Sequence, residues 1–302
     1  MKRTKRFLLI LVAIGAVMGS ATLMKNRSEP TLVVEAEEVY EPIALAVEED
    51  KRVDRIHEFF TTGINKLPIV KTVSYSPRVD WLEGRAAWIA DYASYFGTSR
   101  HFIARSLNGK ADYLTQKVSH GDRFNVLNPD KNFEFNLKVD LSKCEMHFYY
   151  TDLDTGEKTL LKTYQVGLGR VDPTSPSGYL TPTGKYTLGE KVGIYKPGAT
   201  GLFQENEAEM IQIFGTRWIP FGEEIEGCSM GAKGYGLHGN PWLPNPETGE
   251  LEECRDTIGQ YDSDGCIRLN KEDMEALFSI IVSNRRTVID IVPSISEESH
   301  VK

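Results

Sequence analysis

One stretch decides the fold of this chain: Ser263-Asp264-Gly265-Cys266-Ile267-Arg268-Leu269. It places a cysteine in a glycine-preceded turn that leads into an apolar segment and then a helix. Upstream, Gly236-Leu237-His238-Gly239 reads as the end of a separate strand. A thiol nucleophile needs a nearby base and hydrogen-bond donors for an oxyanion, and the two segments contain such groups. Together they predict a cysteine active site, with Cys266 as the nucleophile and His238 as the base.

The same two segments resemble the active site of the L,D-transpeptidases, cysteine enzymes that cross-link bacterial peptidoglycan. In that family a His-Gly pair is followed, after a loop, by Ser-His-Gly-Cys, an apolar residue and Arg or Asn. This sequence matches except at Asp264, where the family usually has histidine. Further matching segments, Val-Asp-Leu-Ser, Val-Gly-Leu-Gly and Thr-Pro-Thr-Gly, come earlier in the family's order. The resemblance therefore covers roughly residues 133–293.

The resemblance implies a mostly β catalytic domain, an L,D-transpeptidase-type sandwich or barrel with short helices. The residue pattern agrees, since many short alternating segments separated by Gly and Pro turns are typical of all-β domains. Strands are predicted at 135–141, 146–150, 163–169, 185–188, 234–238 and 287–292. A helix is predicted from Lys271 to Val282, with Asn270 as its N-cap.

The resemblance also implies a reaction. Cys266 would attack the carbonyl of the third residue of a peptidoglycan stem peptide and release the terminal D-alanine. The thioester would then pass to an amine of a second stem and give a 3–3 cross-link. One amide is exchanged for another, so neither a metal nor another cofactor is expected. Two alternatives remain open: an L,D-carboxypeptidase, if water takes the second step, and a cell-wall-binding protein with a degenerate site.

Backbone groups next to the two reactive residues have expected roles. The resemblance implies that the carbonyl of Gly239 orients the ring of His238, which removes the need for an acidic third member. The amides of Gly265 and Cys266 are the expected oxyanion donors. Ionised Asp264 cannot donate a hydrogen bond. Its charge should raise the pKa of the thiol unless a cation, with Arg268 the nearest in sequence, offsets it. Two interpretations of Asp264 are open: it alters the tuning or the substrate choice of an active enzyme as a substrate-binding residue, or it marks a weakened or lost activity.

Four other side chains have two open interpretations each. Ser263 either supports the turn through its hydroxyl or contacts substrate. Arg268 either binds a substrate carboxylate or forms an internal ion pair. Tyr235 and Trp218 either line the cleft or belong to the core.

Composition excludes several classes of protein. The chain has 302 residues and a net charge of −8, which argues against a non-specific nucleic-acid binder. Its 4 cysteines are too few for a disulfide scaffold, although Cys228 and Cys254 could pair in an oxidising compartment. The sequence contains no CxxC pair, no HExxH helix and no glycine-rich phosphate loop.

The N-terminus predicts export. A basic head is followed by an apolar run, so residues 1–24 read either as a cleaved signal peptide or as a membrane anchor through 7–24. The rest of the protein would lie in the periplasm or cell envelope, with membrane contact only through this segment. Residues 25–50 read as an acidic linker and 294–302 as a polar tail.

Two further regions carry open interpretations. Residues 51–132 are predicted to be helical, either as a plain helical pair or as a module that resembles LysM, a peptidoglycan-binding unit whose usual leading strand is not recognisable here. The long, proline-rich loop between His238 and Cys266 is interpreted as a lid or a specificity insert.

Overall fold

The computed structural model describes residues 53–108 and 117–295. In chain order its elements are α1 (His57–Phe60), β1 (Val70–Ser74), α2 (Ile89–Tyr95), α3 (Arg100–Asn108), β2 (Arg123–Leu127), β3 (Phe133–Asp140), β4 (Glu145–Asp152), β5 (Lys158–Gln165), β6 (Leu168–Gly169), β7 (Gly184–Leu188), β8 (Gly193–Ile194), β9 (Thr200–Phe203), β10 (Asn206–Glu209), α4 (Ile211–Phe214), β11 (Arg217–Glu226), β12 (Gly236–Gly239), β13 (Trp242–Pro244), β14 (Leu251–Glu253), a 3₁₀ turn (Arg255–Thr257), β15 (Tyr261–Ser263), β16 (Ile267–Leu269), α5 (Lys271–Ile281) and β17 (Thr287–Val292).

The predicted signal or anchor, the acidic linker and residues 296–302 of the predicted tail lie outside the described ranges. Within those ranges, no helix has the length and apolar character needed to cross a membrane.

A sheet of 9 strands is the largest sheet of the described residues. Its strand order is β16-β12-β11-β7-β17-β3-β4-β5, and β8 also pairs with β11. The pairs β12–β16 and β17–β3 are parallel, and the other neighbours are antiparallel. Just after β5, Gly167 exchanges two backbone hydrogen bonds of 2.9 Å with Arg268 of β16. This bridge joins the two ends of the sheet, so the predicted mostly β sandwich or barrel is confirmed as a nearly closed structure.

The hydrophobic core is formed by side chains that alternate along the strands, as strand β3 illustrates. In β3 the side chains of Phe133, Phe135, Leu137 and Val139 are buried, while those between them are less so. Helix α5 covers this core with a mostly buried apolar face. Each fully buried Leu or Phe contributes roughly 1.5–3 kcal/mol, so this packing fixes the sheet on which the site residues lie.

Helix α5 begins directly after the cysteine segment. The side chain of Asn270 accepts a hydrogen bond of 2.9 Å from the amide of Asp273, as an N-cap does. The helix runs from Lys271 to Ile281, one residue shorter than predicted. It therefore anchors the C-terminal side of strand β16.

The helical prediction for residues 51–132 is wrong in part. Strand β1 pairs antiparallel with β2, and helices α2 and α3 lie between them in the chain. The apolar residues from Trp81 to Ala87 precede α2 and are not helical. Ala87 and Tyr92 pack together with Phe124 in a strand–helix–helix–strand unit. The plain helical pair is therefore excluded, and β1 supplies the leading strand that the LysM-like interpretation lacked.

This N-terminal unit packs on the catalytic domain. Phe59 and Phe102 belong to the same apolar cluster as Phe135 and Phe148. The ring of Phe59 lies 6.1 Å from that of Phe135 and 6.4 Å from that of Phe148, measured between centroids. The two regions share one hydrophobic core.

The disulfide that the sequence left open is not formed. Cys228 and Cys254 both carry free thiols. The Cys228 Sγ instead donates to the carbonyl of Lys185 at 3.2 Å, which holds it against strand β7.

Candidate active site

The sheet brings the predicted nucleophile and base together. In the parallel pair β12–β16, Leu237 lies opposite Ile267 and His238 lies opposite Arg268. Cys266 immediately precedes β16, so it comes next to the start of β12. Its Sγ donates to the carbonyl of Gly234 at 3.7 Å. Two segments that are distant in the chain thus become neighbours, with His238 two register positions beyond the level of Cys266.

The ring of His238 is held in one orientation. It is only 4% exposed, and its Nδ1 lies 2.7 Å from the carbonyl oxygen of Gly239, as expected from the sequence. A carbonyl only accepts, so Nδ1 carries the hydrogen and Nε2 keeps its lone pair. The rings of Phe214 and Trp218 pack on the imidazole, with centroids 5.4 and 6.0 Å away. Trp218 therefore contacts the base directly.

The electrostatics keep both reactive groups neutral. Burial lowers the pKa of His238 to about 4; the Gly239 hydrogen bond opposes this shift, and the charge of Arg268 adds to it. Burial raises the pKa of the Cys266 thiol to about 11, although a hydrogen bond from Gly236 and the charge of Arg268 oppose the rise. A neutral imidazole is in the protonation state that a general base needs.

Ser263 closes the turn before the cysteine. Its hydroxyl donates to the carbonyl of Cys266 at 2.7 Å and accepts from the amide of Gly265 at 3.1 Å. The side chain is buried, with 1% exposure. Of its two interpretations, the structural one fits.

The amide of Gly265, predicted as an oxyanion donor, donates to the Ser263 hydroxyl inside the turn. Its use as an oxyanion donor stays a prediction, in competition with this bond. Sequence spacing alone does not reveal the competition, because the amide of Gly265 and the hydroxyl of Ser263 meet only once the turn has formed.

Gly265 is required by the shape of the turn. Its φ is 115°, in the left-handed region that favours glycine. A Cβ at this position would lie 2.5 Å from Cε1 of Tyr235 and 2.6 Å from the carbonyl oxygen of Leu180. The ring of Tyr235 therefore packs on the turn itself. Burial raises the pKa of Tyr235, and the nearby Cys266 raises it further by a smaller amount.

Arg268 forms an internal ion pair. Its Nη1 lies 2.7 Å from Oδ1 of Asp262, and its side chain is 16% exposed. This contact supports the second of its two interpretations and leaves little of the guanidinium open to a substrate carboxylate. Its charge instead acts locally, by lowering the pKa of both His238 and Cys266.

Arg268 opposes the effect of Asp264 on the pKa of the thiol, as expected, but the ion-pair partner of Asp264 is a different residue. Oδ1 of Asp264 lies 2.5 Å from Nη2 of Arg170, a residue 94 positions away in the chain. Strand β6 pairs in parallel with β15, and this pairing brings Arg170, which follows β6, to the residue that follows Ser263. No local pattern marks Arg170 in the sequence, so the charge partner of Asp264 was missed.

The loop between His238 and Cys266 is ordered at its base. It contains the hairpin β13–β14, in which Trp242 lies opposite Glu253. Oε1 of Glu253 accepts from the amide of Lys271 at 2.6 Å, and the Thr257 hydroxyl donates to Oδ1 of Asn240 at 2.7 Å. These contacts attach the hairpin to the start of α5. Its role as a lid or specificity insert stays a prediction.

Comparison with known proteins places this site in a family. The YkuD family, described as the L,D-transpeptidase catalytic domain, matches residues 135–289. That range is just over half of the chain and contains both the histidine and the cysteine segments. The chain belongs to the L,D-transpeptidase catalytic domain family. Among curated proteins none matches it.

Several solved structures are similar at low sequence identity. The helical cell shape determining protein Pgp2 from Campylobacter jejuni is 17% identical, with a TM-score of 0.36 over 55% of this chain and 49% of that one. The carbamoyl enzyme of Ldtfm with avibactam is 19% identical, with a TM-score of 0.31 over 57% and 52%. An L,D-transpeptidase from Mycobacterium tuberculosis H37Rv is 13% identical, with a TM-score of 0.32 over 58% and 74%. The chain thus spans about half the length of Pgp2 and of Ldtfm.

Proposed function

We propose that this protein is a peptidoglycan L,D-transpeptidase that forms 3–3 cross-links through a thioester on Cys266. One observation carries the proposal: in β12, the strand paired with the one that follows Cys266, His238 is fixed by Gly239 in the tautomer that leaves Nε2 unprotonated. A base with a pKa of about 4 stays unprotonated at neutral pH and can accept the thiol proton during attack.

In the first step the sulfur of Cys266 attacks the carbonyl carbon of the third residue of a donor stem. A C–S bond forms and the C–N bond to the terminal D-alanine breaks. The thiol proton passes through Nε2 of His238 to the leaving amine. The oxyanion is stabilised by the amide of Cys266, because the amide of Gly265 is bonded within the turn.

In the second step an amine of another stem attacks the thioester and returns the thiol. If water attacks instead, the product is a tripeptide stem and the enzyme is an L,D-carboxypeptidase. The two reactions share the acyl-enzyme, so they are distinguished by the product alone.

The test is incubation with purified disaccharide-tetrapeptide and mass analysis of the products. A transpeptidase gives a dimer whose mass is that of two monomers less one D-alanine, whereas a carboxypeptidase gives the tripeptide. Cys266→Ala should abolish both products, and His238→Gln should reduce turnover by about 10²–10⁴-fold, the usual contribution of a general base. Cys228→Ala, a free thiol elsewhere, is the matched control and should be fully active. Absence of any product from the wild type would favour a degenerate, wall-binding protein.

The N-terminal unit has a proposed role of its own. We propose that residues 70–127, with the order β1-α2-α3-β2, form a cell-wall-binding module that resembles LysM. The leading strand β1 and its antiparallel pairing with β2 support this interpretation. Sedimentation of Cys266→Ala with insoluble peptidoglycan tests it, since the variant cannot be retained as an acyl-enzyme.

A further inference from the structure

An exposed ion pair flanks the reactive cysteine. Asp264 stands two residues before Cys266, and its carboxylate meets the guanidinium of Arg170 at 2.5 Å. The two side chains are 77% and 56% exposed, respectively. Exposed pairs contribute only about 0–1 kcal/mol to stability. This pair is therefore poorly suited to holding the fold, and both of its groups are open to a ligand.

Backbone hydrogen bonds attach the main chain of Arg170 to the turn that carries Cys266. The amide of Arg170 donates to the carbonyl of Ser263 at 3.0 Å, and the amide of Leu180 donates to the carbonyl of Arg170 at 2.8 Å. The preceding residue, Gly169, packs so tightly that a Cβ there would lie 2.9 Å from Cα of Gly265. The cation and the anion are thus both attached to the turn that carries the thiol.

Together, the guanidinium of Arg170 and the carboxylate of Asp264 are complementary to a ligand that carries both a carboxylate and an ammonium group. An arginine presents five N–H donors in a planar fork that matches a carboxylate, and only Nη2 is used by Asp264 here. An ionised carboxylate accepts hydrogen bonds from an ammonium group. A carbon that bears both an ammonium and a carboxylate, as in a free α-amino acid, presents both partners at once.

We propose that Arg170 and Asp264 form the acceptor subsite and select an amine whose carbon also carries a free carboxylate. Arg170 binds the carboxylate and Asp264 binds the ammonium. The proposal rests on the proposed transpeptidase function and specifies its acceptor. It also accounts for the departure at Asp264: an acid replaces the family's histidine where a guanidinium is present to pair with it.

The step balances without another reagent. The bound ammonium loses one proton to solvent, and the free amine attacks the thioester carbon. A C–N bond forms, the C–S bond breaks, and the second amine proton passes through Nε2 of His238 to the sulfur of Cys266. The Arg170–Asp264 subsite positions the acceptor amine and takes no part in the transfer of the proton to sulfur.

The experiment is an exchange reaction with two acceptors in one tube. The full protein is acylated with disaccharide-tetrapeptide in the presence of equal D-methionine and D-methioninamide, and the two products are quantified by mass. The amide lacks the carboxylate. The difference in amine basicity is the same for every variant, so the ratio of acid to amide product is compared between variants. Release of D-alanine is measured separately and reports the first step.

Arg170→Ala should lower the acid-to-amide ratio at least about tenfold relative to the wild type, because a charge-assisted contact is lost. Arg170→Gln is the second variant in case the first does not fold. Asp264→Asn should lower both exchange products relative to hydrolysis and preserve the ratio. Arg286→Ala is the matched control, since Arg286 is 63% exposed and paired with Glu134 of β3; its ratio should equal that of the wild type.

Two results would overturn the proposal: acid-to-amide ratios of Arg170→Ala and Arg170→Gln within twofold of the wild type, or an Arg286→Ala ratio that falls as far as that of Arg170→Ala. In each of these D-alanine is still released, so the proposed function survives. A wild type that releases no D-alanine refutes both.

Discussion

Arg268 lies directly opposite His238 in the parallel pair of β12 and β16. Its charge lowers the pKa of both His238 and Cys266, so it favours the thiolate but disfavours the imidazolium. Burial acts more strongly on both groups and keeps the thiol protonated. The resting state is therefore thiol and imidazole. Under the proposed function, we expect proton transfer to accompany the attack on the substrate.

Alkylation of Cys266 should depend steeply on pH. The thiolate is the reactive form, and its fraction grows with pH up to the thiol pKa of about 11. We expect the rate with iodoacetamide to rise about tenfold per pH unit from pH 7 to 10. The measurement uses a Cys228→Ser/Cys254→Ser background, in which the remaining Cys144 is buried. A flat rate between pH 6 and 8 would instead indicate a preformed ion pair.

A carbapenem should acylate Cys266. The strained β-lactam carbonyl reacts with a thiol as the C–N bond of the ring opens, and His238 accepts the proton. Intact-mass analysis should show one drug molecule added to the wild type and to Cys228→Ala. The addition should be lost in Cys266→Ala. An adduct that persists in Cys266→Ala would place the reactive thiol elsewhere.

Arg170 and Asp264 should modulate the thiol in opposite directions. The charge of Asp264 raises the pKa of Cys266, and Arg170 is its ion-pair partner. Asp264→Asn should therefore speed alkylation at pH 8, while Arg170→Ala should slow it. Because the pair is exposed and screened, each change should be only a few-fold. In the Asp264→Asn background, Arg170→Ala should slow alkylation less. Equal slowing in both backgrounds would show that Arg170 acts independently of Asp264.

Ser263→Ala should destabilise the cysteine turn. The substitution leaves the buried amide of Gly265 without its partner, which costs roughly 1–3 kcal/mol. For a domain of this size, each kcal/mol lowers Tm by about 2–4 °C. The exposed Ser94→Ala is the control and should change Tm little. An unchanged Tm in Ser263→Ala, measured by circular dichroism, would show that the hydroxyl contributes nothing to the turn.

Gly265→Ala should be far more damaging than Gly156→Ala. Both glycines have positive φ, 115° and 76°, so alanine costs roughly 1–2 kcal/mol at either position. Gly156 has open space for a Cβ, whereas Gly265 is blocked by Tyr235 and Leu180. Thermal melts and carbapenem acylation should separate the two variants. Similar losses in both would mean that the turn adjusts to a side chain.

What the sequence reveals depends on distance along the chain. Strand β17 was predicted at its observed bounds, and α5 to within one residue, because their patterns are local and their packing agrees with them. Strand β1 was missed because its partner, β2, lies some fifty residues later, and the apolar residues between them mimic a helical face. The partner of Asp264 was missed for the same reason: Arg170 reaches it only through the β6–β15 pairing. Contacts that depend on register leave no signature in a single sequence.

The neutral state of Cys266 also bears on damage by oxidants. Peroxides and disulfides react with thiolates, and a thiol with a pKa of about 11 is ionised in only about one molecule in ten thousand at pH 7. In an oxidising compartment outside the cytoplasm, disulfides form readily. A partly buried thiol that stays protonated at rest would be protected there without a reducing partner, so the desolvation that slows its resting reactivity would also preserve it from oxidation.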